Sequence, residues 1–362
     1  MIQSGELQMI VLDEVHKNVS PSSLQGKQLL RLKTKASRAM YIPVTGTPIT
    51  SSPLNAYLPL RLIYKVTDTN FWLWKQRFCV FGGFGGKEIT GYKNLPILQD
   101  LMQNNMLRRL KSDVLDLPDK IIHDEYIENS TYQQKLYAHI QTEAKSQSYS
   151  NDDRIPVPDL RALMLRLRQV NGSPELVDTS LDIKSPSYLK DNAKLYRLLE
   201  ILADIRERNE KVIIFSNWVQ PLKTLYKYVV AQGYKTCAYT GTMSEADREQ
   251  HRNVFINNPE YTVMIGTVGA LGTSHTLTVA NNVIFYDEPW TPADKEQAID
   301  RIHRIGTQGS IHIYTLMSQD TVDDVVHNIL YKKSMYSDFL VDTNIDQYLY
   351  DNPLLVNQLL GV

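Results

Sequence analysis

The sequence predicts an α/β protein made of two lobes with parallel sheets and a helical insertion between them. Two observations support this prediction. Short apolar runs alternate with helix-length amphipathic segments over residues 191–335, and a shorter alternation occupies residues 1–60. Strands that alternate with helices at this spacing form parallel sheets with both faces covered. Residues 61–190 lack the alternation and are interpreted as a helical and irregular insertion that ends in a proline-punctuated linker.

The later alternation is complete enough for its elements to be placed one by one. Each short apolar run predicts a buried strand, and each amphipathic segment predicts a covering helix. Strands are predicted at 212–215, 235–239, 262–266, 283–286 and 311–316, and helices at 193–208, 221–232, 244–256, 292–305 and 322–333. The earlier alternation reads strand, helix, strand, helix, which is the second part of an α/β lobe. Residues 336–362 are predicted to form a C-terminal tail.

The composition places the chain among soluble globular proteins. The hydrophobic fraction is 43%, the charged fraction is 22% and the formal net charge is −1, as in ordinary folded domains. No apolar run predicts a membrane span, and the N-terminus lacks the pattern of a signal peptide. The two cysteines, Cys79 and Cys237, are predicted to be buried without a disulfide or a metal. We expect a reducing, intracellular location, in cytoplasm or nucleus, or in the host cytoplasm for a viral protein.

The decapeptide QAIDRIHRIG, which starts at Gln297, carries the strongest chemical signal. On a continuous helix, Gln297, Arg301 and Arg304 share one face. Guanidinium is always cationic and binds phosphate in a bidentate fork, so two fixed arginines suit a site where polyphosphate charge develops. A plain amphipathic helix with solvated arginines is the alternative interpretation. The adjacent stripe is apolar and suits packing on a sheet; it consists of Ala298, Ile302 and Ile305.

Two strand ends in the first sixty residues carry further polar groups. The apolar run that ends at Leu12 is followed by Asp13 and Glu14, which is the Walker B arrangement. The Asp helps to hold Mg²⁺, and the Glu orients or deprotonates the attacking water. The second strand enters a Thr-Gly-Thr-Pro turn that begins at Thr45. Its hydroxyls and backbone could sense phosphate or nucleic acid, and an ordinary strand-ending turn is the alternative.

In this order the three segments resemble motifs II, III and VI of helicase superfamily two, and the chain resembles the Swi/Snf family of DNA-translocating ATPases. That family carries DEAH-like, TGTP and QAxxRxHRIGQ elements. Family-like segments also lie between the motifs: MLRRLKSDVLDLPDK at 106–120, LRLRQVNGSPELV at 165–177 and KVIIFSNW at 211–218. The resemblance implies that both lobes are RecA-like. The chain departs from the family at Thr307, where the family has Gln, and in the loop 266–277, which lacks a double glycine.

The resemblance implies a motor that couples ATP hydrolysis to movement on DNA, with Mg²⁺ bound through ATP. Asp13 would coordinate the Mg²⁺ and Glu14 would act on water. Arg301 and Arg304 would stabilise γ-phosphate charge when the lobes close, and Gln297 would contact the nucleotide or the water.

Coupling and DNA contact are also assigned by the resemblance. Loops on the other side of the lobes would grip the backbone of double-stranded DNA without reading its sequence. The matching DNA-binding residues are Ser216, Asn217, Trp218, Thr240, Gly241, Thr267, Gly269 and Gly272. The residues assigned to coupling are His16, Thr45, Gly46 and Thr47.

A P-loop motor also needs GxxxxGK[S/T] ahead of its Walker B strand. Only twelve residues precede Asp13, and the Gly-Lys pair within FGGFGGKE at 81–88 lies after it and lacks the required flanking residues. We expect that segment to form a glycine-rich turn. The chain is therefore expected to be inactive alone, with its phosphate-binding segment on a separate chain or lost. The alternative is a non-catalytic DNA-binding or interaction remnant of such a motor.

Two further stretches admit two interpretations each. Residues 17–67 contain eight Lys and Arg and no Asp or Glu. This fits either a contact with a phosphate backbone or a solvated basic helix over 24–38. Residues 71–84 form an aromatic cluster, for which packing of the insertion onto the lobe is favoured over base stacking.

Overall fold

The computed structural model describes residues 7–15, 20–46, 48–49, 53–63, 70–82, 84–107, 109, 111–148, 157–185, 187–272 and 276–337. Two compact units are present, unit 1 within residues 1–110 and unit 2 within residues 111–330, and each is described by itself. Among the described residues, no helix combines the length and the apolarity that crossing a bilayer requires.

Unit 1 begins with the strand, helix, strand, helix order that the sequence predicts. Strands β1 (Met9–Leu12) and β2 (Met40–Pro43) pair in parallel and are joined by helix α1 (Leu24–Lys35). The elements that follow are α2 (Tyr57–Ile63), α3 (Phe71–Phe78), an antiparallel hairpin of β3 (Cys79–Gly82) and β4 (Glu88–Tyr92), and α4 (Leu95–Gln103). The segment FGGFGGKE therefore lies in a strand, turn, strand arrangement, as the turn interpretation predicts, and not ahead of a helix as in a P-loop.

The aromatic cluster of α3 is mostly core. Trp74 and Phe78 are fully buried and pack against Leu58, Leu62 and Leu98. This confirms the packing interpretation for those two aromatics. Trp72, by contrast, is 52% exposed and contacts only the hairpin aromatic Phe81 among the described rings.

Unit 2 contains a six-stranded, fully parallel sheet in the order β5-β10-β9-β6-β8-β7. Its strands are β5 (Lys120–Ile127), β6 (Val212–Ser216), β7 (Lys235–Tyr239), β8 (Tyr261–Thr267), β9 (Asn282–Phe285) and β10 (Ile311–Ser318). Its helices are α5 (Lys111–Val114), α6 (Thr131–Ser148), α7 (Val157–Gly172), α8 (Tyr188–Asp191), α9 (Ala193–Glu207), α10 (Val219–Ala231), α11 (Glu245–Asn257), α12 (Val268–Leu271), α13 (Pro292–Ile299) and α14 (Val322–Ser337), of which α14 belongs to this unit as far as Leu330. This sheet confirms the α/β fold class.

The central strands are apolar along their whole length because helices cover both faces. Ile214 and Ile284 join a core with α9 and α10 on one face, whereas Ile213 and Val283 join a core with α11, α12 and α13 on the other. Cap residues set where several of the covering helices begin. The side chains of Asn192, Ser244 and Thr291 each accept a hydrogen bond from the backbone N–H three residues ahead.

The structure differs from the prediction within residues 61–190. Strand β5 lies in that segment and pairs with β10 over eight residues, so part of the expected insertion is the edge strand of the unit 2 sheet. The boundary between the units falls after residue 110. The sequence KIIHDEYI did not predict this strand because it lacks an uninterrupted apolar run. An edge strand is covered less than a central one and needs fewer apolar residues. Ile122 and Tyr126 of β5 are exposed.

Candidate active site and nucleic-acid interface

The Asp-Glu pair of unit 1 lies beside the turn that the sequence pairs with it. The backbone N–H of Val44 donates to the Leu12 carbonyl (2.8 Å), and that of Val15 donates to the Val44 carbonyl (3.1 Å). The carboxyl ends of β1 and β2 therefore bring Asp13 and Glu14 next to Thr45.

The backbone bends sharply at the acidic pair. Glu14 has a φ of 49°, which is uncommon for a residue other than glycine. Its N–H donates to Oδ1 of Asp13 at 2.9 Å, and Asp13 itself is exposed. Gly46 is also exposed, whereas His16 and Thr47 lie outside the described residues. The exposed carboxylate of Asp13 beside the left-handed backbone of Glu14 is suited to a ligand, and such a backbone conformation is costly as a purely structural feature.

Gln297 lies on α13, but the two arginines do not. Helix α13 ends at Ile299, and Arg301 and Arg304 lie in the turns that follow. The prediction of a single helical face that carries all three side chains was therefore wrong. Arg301 is half-buried, whereas Arg304 is exposed. We call residues 300–307 the arginine turn.

A hydroxyl side chain closes the arginine turn. The N–H of Arg304 donates to Oγ1 of Thr307 (3.0 Å), which in turn lies 2.7 Å from the Arg304 carbonyl oxygen. Such local hydrogen bonds compete with helix continuation. Gly306 has a φ of 102°, in the region that favours glycine. As a result Ile302 is buried but Ile305 is 71% exposed, so the predicted apolar stripe ends early.

The arginine turn is hydrogen-bonded to the loop that follows β8. Nε of Arg301 donates to the Gly272 carbonyl oxygen (2.9 Å), and Nη1 of Arg304 donates to Oγ1 of Thr276 (3.2 Å). The backbone N–H of Leu277 donates to the Arg301 carbonyl (2.8 Å). The structure thus joins both predicted catalytic arginines to a loop that was assigned to DNA contact on separate grounds.

Residues 111–120, at the start of unit 2, hold the arginine turn from another side. Lys111 and Asp300 form an ion pair of 2.5 Å, and Lys120 and Glu296 form one of 3.1 Å. Nε2 of the buried His303 donates to the Pro118 carbonyl oxygen at 2.7 Å. The position of the arginines therefore depends on this stretch as well as on α13.

The predicted DNA-binding residues lie at the carboxyl ends of neighbouring strands. Ser216 ends β6 and is followed by Asn217 and Trp218, Thr240 and Gly241 follow β7, and Thr267 ends β8. Gly241 and Gly269 are exposed, and Asn217, Trp218 and Thr267 are half-buried. Ser216, Thr240 and Gly272 are buried, so their side chains or backbones shape the loops.

The arginine turn lies at the other end of the strands of the same sheet, beside their amino termini. It directly precedes β10, and Asn281, which precedes β9, donates from Nδ2 to the Gln308 carbonyl at 2.7 Å. The loop after β8 begins at the carboxyl end of that strand, and its described residues Gly272, Thr276 and Leu277 contact the arginine turn.

A buried network of four charged side chains supports the loop after β6. Nζ of Lys194 lies 2.6 Å from Oδ2 of Asp323, and Nε of Arg168 lies 3.7 Å from Oδ1 of the same carboxylate. Oγ of Ser216 donates to Oδ2 of Asp287 at 2.5 Å. Burial raises the pKa of Asp287 despite the nearby Lys194 and Arg168. Burial also opposes ionisation of Asp323, but Lys194 and Arg168 outweigh it and lower the pKa of that group.

The same network orients two tryptophans. The Arg168 guanidinium lies 4.2 Å from the Trp290 ring centroid and 5.5 Å from that of Trp218, and its Nη2 donates to the Glu288 carbonyl (2.6 Å). Nδ2 of Asn217 donates to that carbonyl too, at 2.8 Å. The loop after β6 is therefore fixed by groups from α7, α9, α14 and the end of β9.

Sequence reasoning missed this network. Lys194, Asp323 and Arg168 lie in amphipathic helices, where a charged residue ordinarily predicts a solvated face. The one usable signal was Asp287 and Glu288, an acidic pair directly after a buried strand, which is the same pattern that drew attention to Asp13.

Glu288 also anchors a half-buried histidine. Nδ1 of His327 lies 3.0 Å from Oε2 of Glu288, and Nζ of Lys295 donates to Oε1 at 2.6 Å. The hydrogen bond to Glu288 raises the pKa of His327 against partial burial. Burial of Glu288 opposes its ionisation, but His327 and Lys295 reverse this and lower its pKa.

The raised pKa of His327 gives the fold a pH dependence with a definite sign. The stabilisation is fully present below the unfolded pKa of about 6.5 and is lost as the pH rises through the higher folded value. We expect the stability difference between the wild type and His327→Gln, from urea denaturation, to be larger at pH 6 than at pH 9. His139→Gln, at an exposed position of α6, is the matched control. A difference that does not change with pH would contradict the assignment.

Comparisons with known proteins identify two domain families along the chain. The model of the helicase conserved C-terminal domain matches residues 193–306, and the model of the SNF2-related domain matches residues 1–176. The ISWI chromatin-remodeling complex ATPase ISW1 of Saccharomyces cerevisiae is 28% identical over 334 residues, which is 88% of this chain and 28% of that protein. An uncharacterized ATP-dependent helicase of Mycoplasma pneumoniae is 26% identical over 98% of this chain and 33% of its own length.

A solved structure shows the same fold. The Sulfolobus solfataricus SWI2/SNF2 ATPase core in complex with dsDNA aligns with a TM-score of 0.56 and 21% identity, over 98% of this chain and 73% of that one. The fold and the two family models together place the chain in the class of helicase-type ATPase domains. The chain belongs to the Swi/Snf (SNF2-related) family, whose members include ATP-dependent helicases and chromatin-remodeling ATPases. It spans about 24–33% of the length of the curated relatives that it matches.

Proposed function

We propose that this chain contains the parts of a DNA translocase that connect ATP hydrolysis to movement along duplex DNA. One observation carries the proposal: both candidate catalytic arginines are hydrogen-bonded to the loop after β8, through the Gly272 carbonyl and the Thr276 hydroxyl. A shift of this loop on DNA would move Arg301 and Arg304, because the loop and the turn share three hydrogen bonds. The Sulfolobus ATPase core of the same fold was solved in complex with dsDNA, which supports duplex DNA as the partner.

The residues of unit 1 fit the metal chemistry of ATP hydrolysis. Mg²⁺ is commonly held by one or two carboxylates together with substrate phosphates and water. Asp13 is exposed at a strand end, and no cluster of three metal-ligating side chains is found among the described residues. Asp13 would therefore hold Mg²⁺ with the help of ATP. Glu14 would orient or deprotonate the attacking water.

The residues of unit 2 fit stabilisation of the transferred phosphate and contact with DNA. Arg304 is exposed and would stabilise the charge that develops on the γ-phosphate, with Arg301 as its half-buried neighbour. Gln297 on α13 would contact the nucleotide or water. At the carboxyl ends of the strands, the exposed backbone at Gly241 and Gly269 would bind phosphates without reading sequence.

Hydrolysis also needs a group that binds the β- and γ-phosphates. The 362 residues contain no GxxxxGK[S/T]. We propose that these residues by themselves do not turn over ATP and that activity requires a P-loop segment, wherever that segment is encoded.

The test is DNA-stimulated ATP hydrolysis in the presence of a polypeptide that carries the P-loop strand and helix. We expect turnover only when that polypeptide and duplex DNA are both present. Glu14→Gln should then lower the rate by about 10²–10⁴-fold, because it removes the general base. Glu207→Gln, at an exposed position of α9, is the matched control.

If the chain binds DNA in a salt-sensitive way but ATP changes nothing in any mixture, the result would contradict the motor function and favour the non-catalytic alternative. Loss of DNA binding as well as hydrolysis would contradict both.

A further inference from the structure

Helix α1 of unit 1 carries a regular row of exposed positive charge. Lys27, Arg31 and Lys35 are all exposed and are spaced four residues apart, so they share one face of the helix. We call these three residues the α1 stripe. At 1.5 Å per residue, the stripe extends over about 12 Å along the helix axis.

Among the described residues, no carboxylate neutralises the charges of the stripe. Helix α1 contains no acidic residue, and in the part of the chain that the structure describes no carboxylate pairs with Lys27, Arg31 or Lys35. Beside the stripe, the pKa of Lys33 is lowered by partial burial and then by the Arg61 guanidinium. The Arg61 guanidinium is thus a further positive charge near the helix, and the electrostatic potential around the stripe is strongly positive.

Unit 1 as a whole shares this charge. Residues 1–110 contain 14 Lys and Arg and six Asp and Glu, whereas residues 111–362 contain 25 and 34. The chain has a formal net charge near zero only because these two parts cancel. A polyanion will therefore be attracted to unit 1 far more than the formal charge of −1 suggests.

The helix is held rigidly enough to present the stripe at fixed spacing. The Ser23 side chain accepts a hydrogen bond from the Gly26 N–H (3.0 Å) and donates to the Ser20 carbonyl (2.7 Å). A Cβ at Gly26 would lie 2.0 Å from that carbonyl oxygen, so only glycine fits this start. Leu29 and Leu30 pack against the unit 1 core on the opposite side.

We propose that the α1 stripe binds the phosphate backbone of duplex DNA, as a contact separate from the loops of unit 2. This inference rests on the proposed function, because it takes duplex DNA as the partner. Each strand of duplex DNA carries one phosphate per 3.4 Å, so about 12 Å of stripe faces three or four phosphates of one strand. Gln28 and Thr34, which flank the three cations, are polar and exposed, and the one exposed large apolar side chain of the helix, Leu24, lies in its first turn, so the face is mainly polar and cationic.

The test is the salt dependence of binding, measured by fluorescence anisotropy of a labelled duplex with the 362-residue chain. Each lost phosphate contact reduces the magnitude of the negative slope of log K against log salt by about 0.9, so Lys27→Gln/Arg31→Gln/Lys35→Gln should reduce this magnitude by about 2.7. The charge-matched control, Lys135→Gln/Lys184→Gln/Lys190→Gln, removes three exposed lysines of unit 2 and should lower it by less than about 1. Lys27→Arg/Arg31→Lys/Lys35→Arg keeps the charges and should retain the wild-type slope.

Three outcomes would overturn the proposal. In the first, the α1 variant keeps the wild-type slope, or loses no more than the unit 2 control, while DNA binding persists; the proposed motor function then stands without the stripe. In the second, polyglutamate competes with the labelled duplex for the protein as effectively as unlabelled duplex does. This result would indicate an acidic polypeptide as the partner. In the third, the wild type shows no salt-dependent DNA binding, which would overturn the stripe and the proposed function together.

Discussion

Replacing Arg304 by alanine is expected to lower the DNA-stimulated ATP hydrolysis of the motor, supplied with its P-loop, by about 10³–10⁵-fold, the range seen for arginines that stabilise phosphoryl transfer. Arg304 is exposed, and the one hydrogen bond of its guanidinium to a described side chain goes from Nη1 to the Thr276 hydroxyl. The rest of its guanidinium can bind a phosphate in a bidentate fork. The measurement is the single-turnover rate at saturating ATP and duplex DNA.

Thr276→Ala is the matched control for this prediction. It removes the hydrogen bond that orients Arg304 but leaves the charge, so we expect a loss of only a few fold. Arg304→Lys should recover little, because an ammonium group cannot make the planar, bidentate contact. A rate for Arg304→Ala within tenfold of the wild type would contradict the assigned role and leave Arg301 as the stabilising group.

Replacing Asp323 by alanine is expected to lower the free energy of unfolding of unit 2 by about 3–5 kcal/mol. The change leaves Lys194 and Arg168, both 2% exposed, as buried cations without their nearest carboxylate. It also removes the acceptor for the Ser318 N–H (3.1 Å). Urea denaturation followed by tryptophan fluorescence suits this measurement, because Trp290 and Trp218 lie against Arg168.

A surface ion pair provides the control for the buried one. Glu200→Ala breaks a pair with Arg197 in which the side chains are 44% and 36% exposed, and such pairs contribute about 0–1 kcal/mol. The double variant Asp323→Asn/Lys194→Met should lose less than the sum of its single changes, because it removes both partners of one interaction. An unfolding free energy for Asp323→Ala equal to that of Glu200→Ala would show that the network does not stabilise the fold.

The sequence predicted the centre of unit 2 well because its strands are buried on both faces. The runs at β6, β8 and β9 are apolar and short, and the predicted bounds differ from the observed ones by no more than one residue at each end. The acidic pair after β1 was noticed because it follows a short apolar run, whereas the loops after β6, β7 and β8 were assigned by the resemblance to the family.

What the sequence could not predict depends on contacts between distant residues. Strand β5 was missed because its partner, β10, is far along the chain and its outer side has none of the apolar continuity of a central strand. Helix α13 was predicted too long. The hydroxyl of Thr307 and the conformation of Gly306 favour a turn after it, and neither effect is evident from the helical spacing of QAIDRIHRIG. Ser216 was expected to touch DNA, yet its hydroxyl is committed to Asp287.

The pairing of β5 with β10 has a consequence for how the protein is made. Ile127 and Ile311, the nearest ends of the two strands, are separated by 184 positions in the chain. At about 5–20 residues per second, a ribosome needs about 10–40 s to add that length. During this time β5 has left the ribosome without its partner strand, and the nascent chain carries an open strand edge that can bind a chaperone or another polysome-bound copy.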